Sequence, residues 1–299
     1  MSASTPANTG RTPGASPFPY PPFAKQQQEL PGQINQMNPR PDHGEESWIG
    51  ANRLENRIAL ITGADSGIGR AVAIAYAREG ADVALSYLSE TEDAADTARL
   101  VREAGRRCLT LKGDIADPDW CRQMVDRCVG ELGGLDILVN NAAHQMSIEN
   151  LDEISNDEWR KTFAVNIDAM FYLTKAAVPH MKPGSAIINT TSVNADKPNP
   201  TLLAYATTKG AIQNFTAGLA QMLAEKGIRV NCVAPGPVWT PLIPATLPAD
   251  AVASFGQNYP IGRPAQPVEL ASSYVMLAEP MSSYISGATI AVTGGQPVL

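Results

Sequence analysis

The sequence predicts an α/β protein: a doubly wound parallel sheet of about seven strands with helices on both faces. Three observations carry this. From Leu54 onward, short apolar runs alternate with stretches of helical period, the pattern of a sheet covered on both sides. The first run is followed at once by a glycine-rich loop that opens a helix, Thr62 to Arg70. No internal repeat interrupts the alternation, so the 299 residues, 44% hydrophobic and 18% charged, are read as one layered core.

Taken in order, residues 1–50 form a Pro/Gln-rich extension and residues 51–299 the folded domain. Pro17-Phe18-Pro19-Tyr20-Pro21-Pro22-Phe23, Gln26 to Gln28, Pro31, Pro39 and Pro41 cannot build a helix or a ladder, because proline lacks the donor and fixes φ. Phe18, Tyr20, Phe23 and Trp48 are more aromatic than a solvating tail requires, so part of the arm is expected to lie extended across its own or a neighbouring subunit. Strands follow at Ile58–Thr62, Val83–Tyr87, Cys108–Leu111, Ile137–Asn140, Ala186–Thr190, Arg229–Val233 and Ala288–Val292. Ser89-x-x-Glu92 reads as a capping box and Gly105 as the stop of the helix between them.

A net charge of -7 leaves no basic face for a phosphate backbone, which excludes nucleic acid as a partner. No run of about 18 apolar residues suits a membrane span, and the start of the chain lacks the layout of a secretory leader; a cytoplasmic protein is expected. Cys108, Cys121, Cys128 and Cys232 include no Cys-x-x-Cys and read as buried thiols, while His43, His144 and His180 are dispersed, so no metal site is expected.

The loop after the first strand can cradle phosphates. Gly63 permits the tight turn, Ser66 and Gly67 bring the backbone close to a pyrophosphate, Ile68 opens the helix, and Gly69 lets that helix pack on the strand. Such a loop opening a βαβ unit predicts a Rossmann-type dinucleotide site. Discrimination between dinucleotides falls to the end of the second strand, where Tyr87, Leu88 and Ser89 stand. The carboxylate that would hold the ribose 2′-hydroxyl of NAD is missing there, and Ser89 with the amides behind it suits a phosphate, although Glu90, Glu92 and Asp93 oppose one. The balance leans to NADP over NAD.

Further along, Tyr205 and Lys209 are four apart in a helical run and share a face, with the strand-end Ser192 able to converge on them. A phenol with a pKa near 10 needs about 4 kcal/mol to drop roughly 3 units. A cation about 4 Å away supplies on the order of 4 kcal/mol at an effective dielectric near 20. Lys209 is therefore expected to depress the Tyr205 phenol and make it a general acid or base. Alone, Tyr-x-x-x-Lys is an ordinary solvated helix face; with Ser192 and the glycine loop it is a site.

Thr62-Gly63-x-x-x-Gly67-Ile68-Gly69, Asn140-Asn141-Ala142-Ala143, Asn166, Ser192, Tyr205-x-x-x-Lys209 and Pro235-Gly236 stand in the order and spacing of the classical short-chain dehydrogenase/reductases, which residues 54–299 resemble. The extension leading into Pro41-Asp42-His43-Gly44-Glu45 resembles a bacterial subgroup of general-stress, glucose/ribitol-dehydrogenase-like and aldehyde-reductase-like oxidoreductases. The resemblance implies a tetrad of Asn166, Ser192, Tyr205 and Lys209, with Lys209 also holding the nicotinamide ribose. It implies adenine contacts from Asp114 and Ile115, and cofactor contacts from Asn141, Ala142, Pro235, Gly236, Val238 and Thr240. It further implies a homotetramer paired through helices near Trp159–Met181 and Tyr205–Lys226. Ala143 departs from the family's glycine, and Leu88 stands where related NADP enzymes carry Arg.

Pro241 to Pro264 reads as a proline-interrupted lid over a small-molecule substrate. Trp239, Leu242 and Phe255 are either its walls or core residues, and His144 and Gln145 either line the pocket or sit at the surface. Asn194 and Asp196 hint at a polar substrate such as a sugar or polyol. Two rivals to a carbonyl/alcohol oxidoreductase of small aldehydes, ketones, sugars or polyols are a 3-oxoacyl-type ketoreductase, which needs a basic lid, and a non-catalytic dinucleotide sensor, which would lose Tyr205 or Lys209.

Overall fold

The computed structural model describes residues 16–297; the first fifteen residues of the extension lie outside the described part. Chain order gives β1 (Ile58–Thr62), α1 (Gly67–Arg78), β2 (Asp82–Tyr87), α2 (Thr91–Glu103), β3 (Cys108–Lys112), α3 (Pro118–Leu132) and β4 (Ile137–Asn140). Then come α4 (Asn156–Phe163), α5 (Ala169–Ala177), β5 (Ala186–Thr190), α6 (Leu203–Leu223), β6 (Arg229–Pro235), α7 (Leu242–Thr246), α8 (Ala249–Ala253), α9 (Pro267–Ala278) and β7 (Thr289–Val292).

All seven strands pair in parallel in the order β3-β2-β1-β4-β5-β6-β7. The period of two in each strand sorts its side chains between two cores. Ala59 and Ile61 of β1 and Val139 of β4 join α1, α2 and α9, whose Val72, Tyr76, Leu270 and Tyr274 fill one layer. Leu60 and Leu138 point the other way, to Met124 of α3, Leu173 of α5 and Leu223 of α6. The chain leaves β1 toward β2 on one side and returns at β4 on the other, so a crevice opens at the carboxyl ends where the order reverses.

Local chemistry fixes the ends of these elements. Asp117 caps α3 by accepting from the Asp119 amide at 2.9 Å, Pro118 occupies its first position, and Gly133 ends it at φ +91°. At α2 the expected Ser89 capping box does not form: the helix begins at Thr91, Glu90 takes the cap position, and the Ser89 hydroxyl donates to the Glu90 carboxylate at 2.6 Å. A carboxylate one residue away is a stronger acceptor partner for that hydroxyl than a distant amide is a donor.

Residues 16–50 run across the same subunit. Phe23 packs against Trp239 with ring centroids 4.4 Å apart and planes tilted by 38°, and with Met37, Ile243 and Val252 they make a small third core. The Phe23 amide donates to the Ala253 carbonyl at 2.8 Å, and the Val268 amide to the Asp42 carbonyl at 3.1 Å. Behind α1, the Arg78 guanidinium donates to the carbonyls of Gly44, Glu45 and Trp48.

Candidate active site

The crevice at the carboxyl ends is a cavity of about 1030 Å³ that takes its walls from every strand end from β1 to β6. Gly63 and Gly67 adopt positive φ, +61° and +51°, which a side chain would strain. A Cβ on Gly67 would come within 3.0 Å of the Thr240 methyl, and one on Gly69 within 2.0 Å of the Gly63 carbonyl oxygen. The loop therefore presents bare backbone to the cavity, while Gly69 lies behind it as a packing residue. Thr62 Oγ1 accepts from the amides of Asn141 and Ala142, both at 3.0 Å, and locks the end of β4 to this loop. Ala143 lines the cavity with ordinary backbone torsions, so its methyl costs the loop nothing.

Gly63, Ser66, Gly67, Ile68, Tyr87, Leu88, Ser89, Asp114, Ile115, Asn141, Ala142, Pro235, Gly236, Val238 and Thr240 all line this one cavity. Ser192, Tyr205, Lys209, His144 and Asn194 line it as well. The bare loop, the amides at the start of α1 and the elongated crevice at the strand reversal fit a dinucleotide.

At the far side of the crevice, β5 and α6 bring Ser192, Tyr205 and Lys209 to the cavity. Lys209 is buried, its Nζ donates to the Thr190 carbonyl at 2.8 Å and lies 5.1 Å from the centre of the Tyr205 ring. Thr190 Oγ1 in turn bonds the Tyr274 hydroxyl at 2.7 Å, and Thr191 Oγ1 donates to the Lys209 carbonyl at 2.8 Å. The expected depression of the phenol is not what this environment produces. Burial pushes Tyr205 up to about 12, opposed by its hydrogen bond with Ser192. The same burial pushes Lys209 down to about 7. Desolvation thus sets the direction of both shifts, and the phenol holds its proton.

Asn166 does not reach the main cavity. It sits in a π-helical segment, Ala164–Asp168, between α4 and α5. Its amide donates to the His144 carbonyl at 2.9 Å and to Thr208 Oγ1 at 3.0 Å, and its carbonyl oxygen accepts from the His144 amide at 2.7 Å. Thr208 Oγ1 passes the contact on to the Tyr205 carbonyl at 2.7 Å, so Asn166 braces the helix that bears the phenol.

Trp239 is corrected outright. It is fully buried and lines no part of the cavity; its indole donates to the Pro39 carbonyl at 2.8 Å and its face carries Phe23. A large amphipathic ring does more by seating the arm than by facing solvent. Leu242 and Phe255 do line the cavity. His144 presents an edge to it while its Nε2 bonds Glu158 at 2.8 Å, and Gln145 reaches Thr246 of α7 at 2.7 Å. Arg263, the lid's cation, is buried and paired with Glu269 at 2.7 Å. Arg70 points away, to Asp96 at 2.6 Å and Glu45 at 3.2 Å.

Several lining residues escaped the sequence reading. Leu30 and Pro31 reach the cavity from the arm, and nothing in their own spacing marks them. Asp65, inside the phosphate loop, is buried and pushed up to about 7 by burial. Lys161 and Lys197 flank the substrate side.

Residues 63–296 match a family model described as enoyl-(acyl carrier protein) reductase. The chain is 53% identical over 272 residues to general stress protein 39 of Bacillus subtilis, covering 91% of this chain and 95% of that protein. It is 44% identical over 282 residues to a glucose and ribitol dehydrogenase of Daucus carota, covering 92% and 96%. A short-chain dehydrogenase from Burkholderia cenocepacia, solved with NADP, superposes with a TM-score of 0.77 at 35% identity, covering 81% of this chain and 98% of its own.

Proposed function

The chain belongs to the short-chain dehydrogenase/reductase family of NAD(P)-dependent oxidoreductases, and on that premise we propose that it reduces the carbonyl of a small polar substrate, or oxidises the matching alcohol, with Tyr205 as the acid/base. The observation that carries the proposal is the convergence of Ser192, Tyr205 and Lys209 on the cavity that the phosphate loop also faces. Bound NADP(H) supplies or accepts the hydride. Gly63, Ser66, Gly67 and Ile68 hold its phosphates by backbone, Tyr87 to Ser89 with Asp114 and Ile115 the adenosine, and Asn141, Ala142, Pro235, Gly236, Val238 and Thr240 the nicotinamide half.

The proton moves at the Tyr205 hydroxyl. A phenol held near 12 is a firm proton carrier, ready to protonate a carbonyl oxygen that Ser192 orients by hydrogen bond. Lys209, fixed by the Thr190 carbonyl, stands beside the phenolate that results, and its ammonium form, favoured below about pH 7, stabilises it. Asn166 is a positioning residue through Thr208.

For the substrate, the polar side chains of His144, Gln145, Ser147, Asn194, Asn199 and Thr201 line the cavity near Tyr205. A polar, partly solvated wall of this kind suits a hydroxylated substrate such as a sugar, polyol or short hydroxy-aldehyde. The carrot relative, described as a glucose and ribitol dehydrogenase, is in keeping with this. An acyl-carrier substrate is disfavoured: the lid's Arg263 is committed to Glu269 and presents no cation to a carrier. We take NADP(H) as the preferred dinucleotide, on the absence of a carboxylate at Tyr87 and Leu88 and on the NADP carried by the Burkholderia neighbour; Glu90 acts against this preference.

No helix among the described residues is long and apolar enough to cross a membrane. Trp159 on α4, Phe171 on α5 and Met222 on α6 remain exposed, Met222 at 75%, and support a homo-oligomer, a tetramer in this reading, assembled through those helices. The deciding experiment is a panel of sugars, polyols, aldehydes and ketones assayed in both directions with both dinucleotides. Turnover of hydroxylated substrates is expected; dinucleotide binding without any turnover would instead identify a sensor.

A further inference from the structure

The segment 28–34 borders the cavity, attached at two points to the lid segment around α7 and at a third to α2. The Gln28 amide donates to the Pro244 carbonyl of α7 at 3.0 Å. Gly32, at φ +87°, lies so close to Pro241 that a Cβ would stand 2.7 Å from its carbonyl oxygen. Two residues later the Ile34 amide donates to the Asp93 carboxylate at the start of α2, at 3.0 Å. Between these anchors, Leu30 and Pro31 face the cavity that the phosphate loop lines. The lid and α2 stand on opposite sides of that loop, so the segment is a strap over it.

The arm also grips the loop from behind. Glu45 pairs with Arg70 at 3.2 Å, and Arg70, almost wholly buried, donates to Thr97 Oγ1 at 3.0 Å. Thr97 Oγ1 then donates to the Asp65 carbonyl at 3.0 Å, inside the phosphate loop. One extension, which begins well before the stretch matched by the family model, thus contacts the loop's surroundings on both sides.

We propose that residues 28–34 are part of the dinucleotide site: Leu30 and Pro31 close over the phosphate and adenosine-ribose stretch of the bound cofactor, so that docking of the arm and binding of the dinucleotide strengthen each other. The proposal rests on the functional reading above. An apolar pair over charged phosphates excludes water from the amide contacts beneath and raises their strength. Because coupling between two binding events is reciprocal, a strap that tightens the dinucleotide must itself be held down by it.

The test uses the full chain and the variants Leu30→Asp and Gly32→Ala, which respectively put a charge over the cavity and force the strap off Pro241. Dissociation constants for NADPH and NADH are measured by cofactor fluorescence, with ligand-free melting temperatures as control. Tryptic cleavage after Lys25, exposed and paired with Asp250, is followed with and without dinucleotide. Expected are a rise of fivefold or more in both constants at unchanged ligand-free melting temperature in Leu30→Asp, the same rise in Gly32→Ala, and slower cleavage at Lys25 under saturating dinucleotide. A smaller rise in Leu30→Asp, or cleavage at Lys25 indifferent to dinucleotide, overturns the strap. Failure of the wild-type chain to bind either dinucleotide would overturn the functional reading itself, which separates the two outcomes.

Discussion

The wall that bears Tyr205 and the strap that bears Leu30 face the same cavity and are built in opposite ways. On the wall, every polar group that matters is buried and bonded over short stretches of chain: Lys209 to Thr190, Thr191 to Lys209, Thr208 to Asn166. The strap exposes Leu30 and Pro31, is held by few backbone bonds, and is seated on distant parts of the chain, Gln28 on Pro244 and Ile34 on Asp93. Rigid elements hold reacting atoms within tight tolerances, whereas a segment tied at a few points can part to admit and release a ligand. Chemistry and access have been given to different kinds of structure.

The largest effect that would break this contrast is on the wall. Tyr205→Phe removes the transferable proton and leaves the ring packing, so turnover should fall by 10² to 10⁴-fold while the dinucleotide dissociation constant stays within about twofold. Near-normal turnover would move the acid/base role elsewhere, with His144 the first alternative. A comparably severe but different loss is expected from Trp239→Ala. Deleting a fully buried indole that carries Phe23 and bonds Pro39 should cost about 3 to 5 kcal/mol in denaturant unfolding. Trp239→Phe should lose only about 1 kcal/mol, the share of the indole hydrogen bond. If Trp239→Ala unfolds like wild type, the arm is not seated as described.

A more modest effect sharpens the contrast at the adenosine end. NADPH should bind severalfold more tightly than NADH, and Glu90→Gln should widen the gap further by removing a carboxylate from the lining. A tenfold preference for NADH in the wild type would reverse the assignment and make Glu90 the selecting residue.

The two regions also differ in how far they could be read from sequence. The seven strands were legible because a parallel sheet buried on both faces demands uninterrupted apolar runs, and Ile58–Thr62, Ile137–Asn140 and Ala186–Thr190 match to the residue. The wall was legible because its residue types are dictated by chemistry at fixed helical spacing. What escaped depends on distant contacts. Leu30 and Pro31 belong to the site only because Trp239 and Asp93 fix the path of the arm. Trp239 stands beside Val238 and Thr240 in the turn after β6, which suggested a pocket wall, yet its ring turns to the arm. The Tyr205 phenol shows a related error: a pairwise attraction was legible, the desolvation that sets the shift was not, since burial is a property of the whole fold.

The smallest expected effect comes from Asp65, where the loop and the arm's rear grip meet. Burial, with Glu90 and Asp93 adding to it, raises this carboxyl from its usual range to about 7. The folded chain therefore binds a proton there more tightly than the unfolded chain. The stability this contributes is full only below the unfolded value of 3.8, declines from there, and is lost as pH rises through about 7. Other carboxylates act in the reverse sense: Asp82 and Asp96 are held low by arginines, so the Asp65 contribution shows as the difference between wild type and Asp65→Asn. That difference should fall between pH 4 and pH 8. Binding follows the same sign, because a pyrophosphate in the loop disfavours a second anion beside it. The NADH dissociation constant of the wild type should thus tighten about twofold to fivefold from pH 8 to pH 6, as an upward shift of half to one unit from about 7 gives over that span. In Asp65→Asn this share of the dependence should be lost, leaving only what Lys209, also pushed to about 7 in the same cavity, contributes. A variant that kept the full pH dependence would place the titrating group elsewhere, and would leave the phosphate loop held by geometry alone.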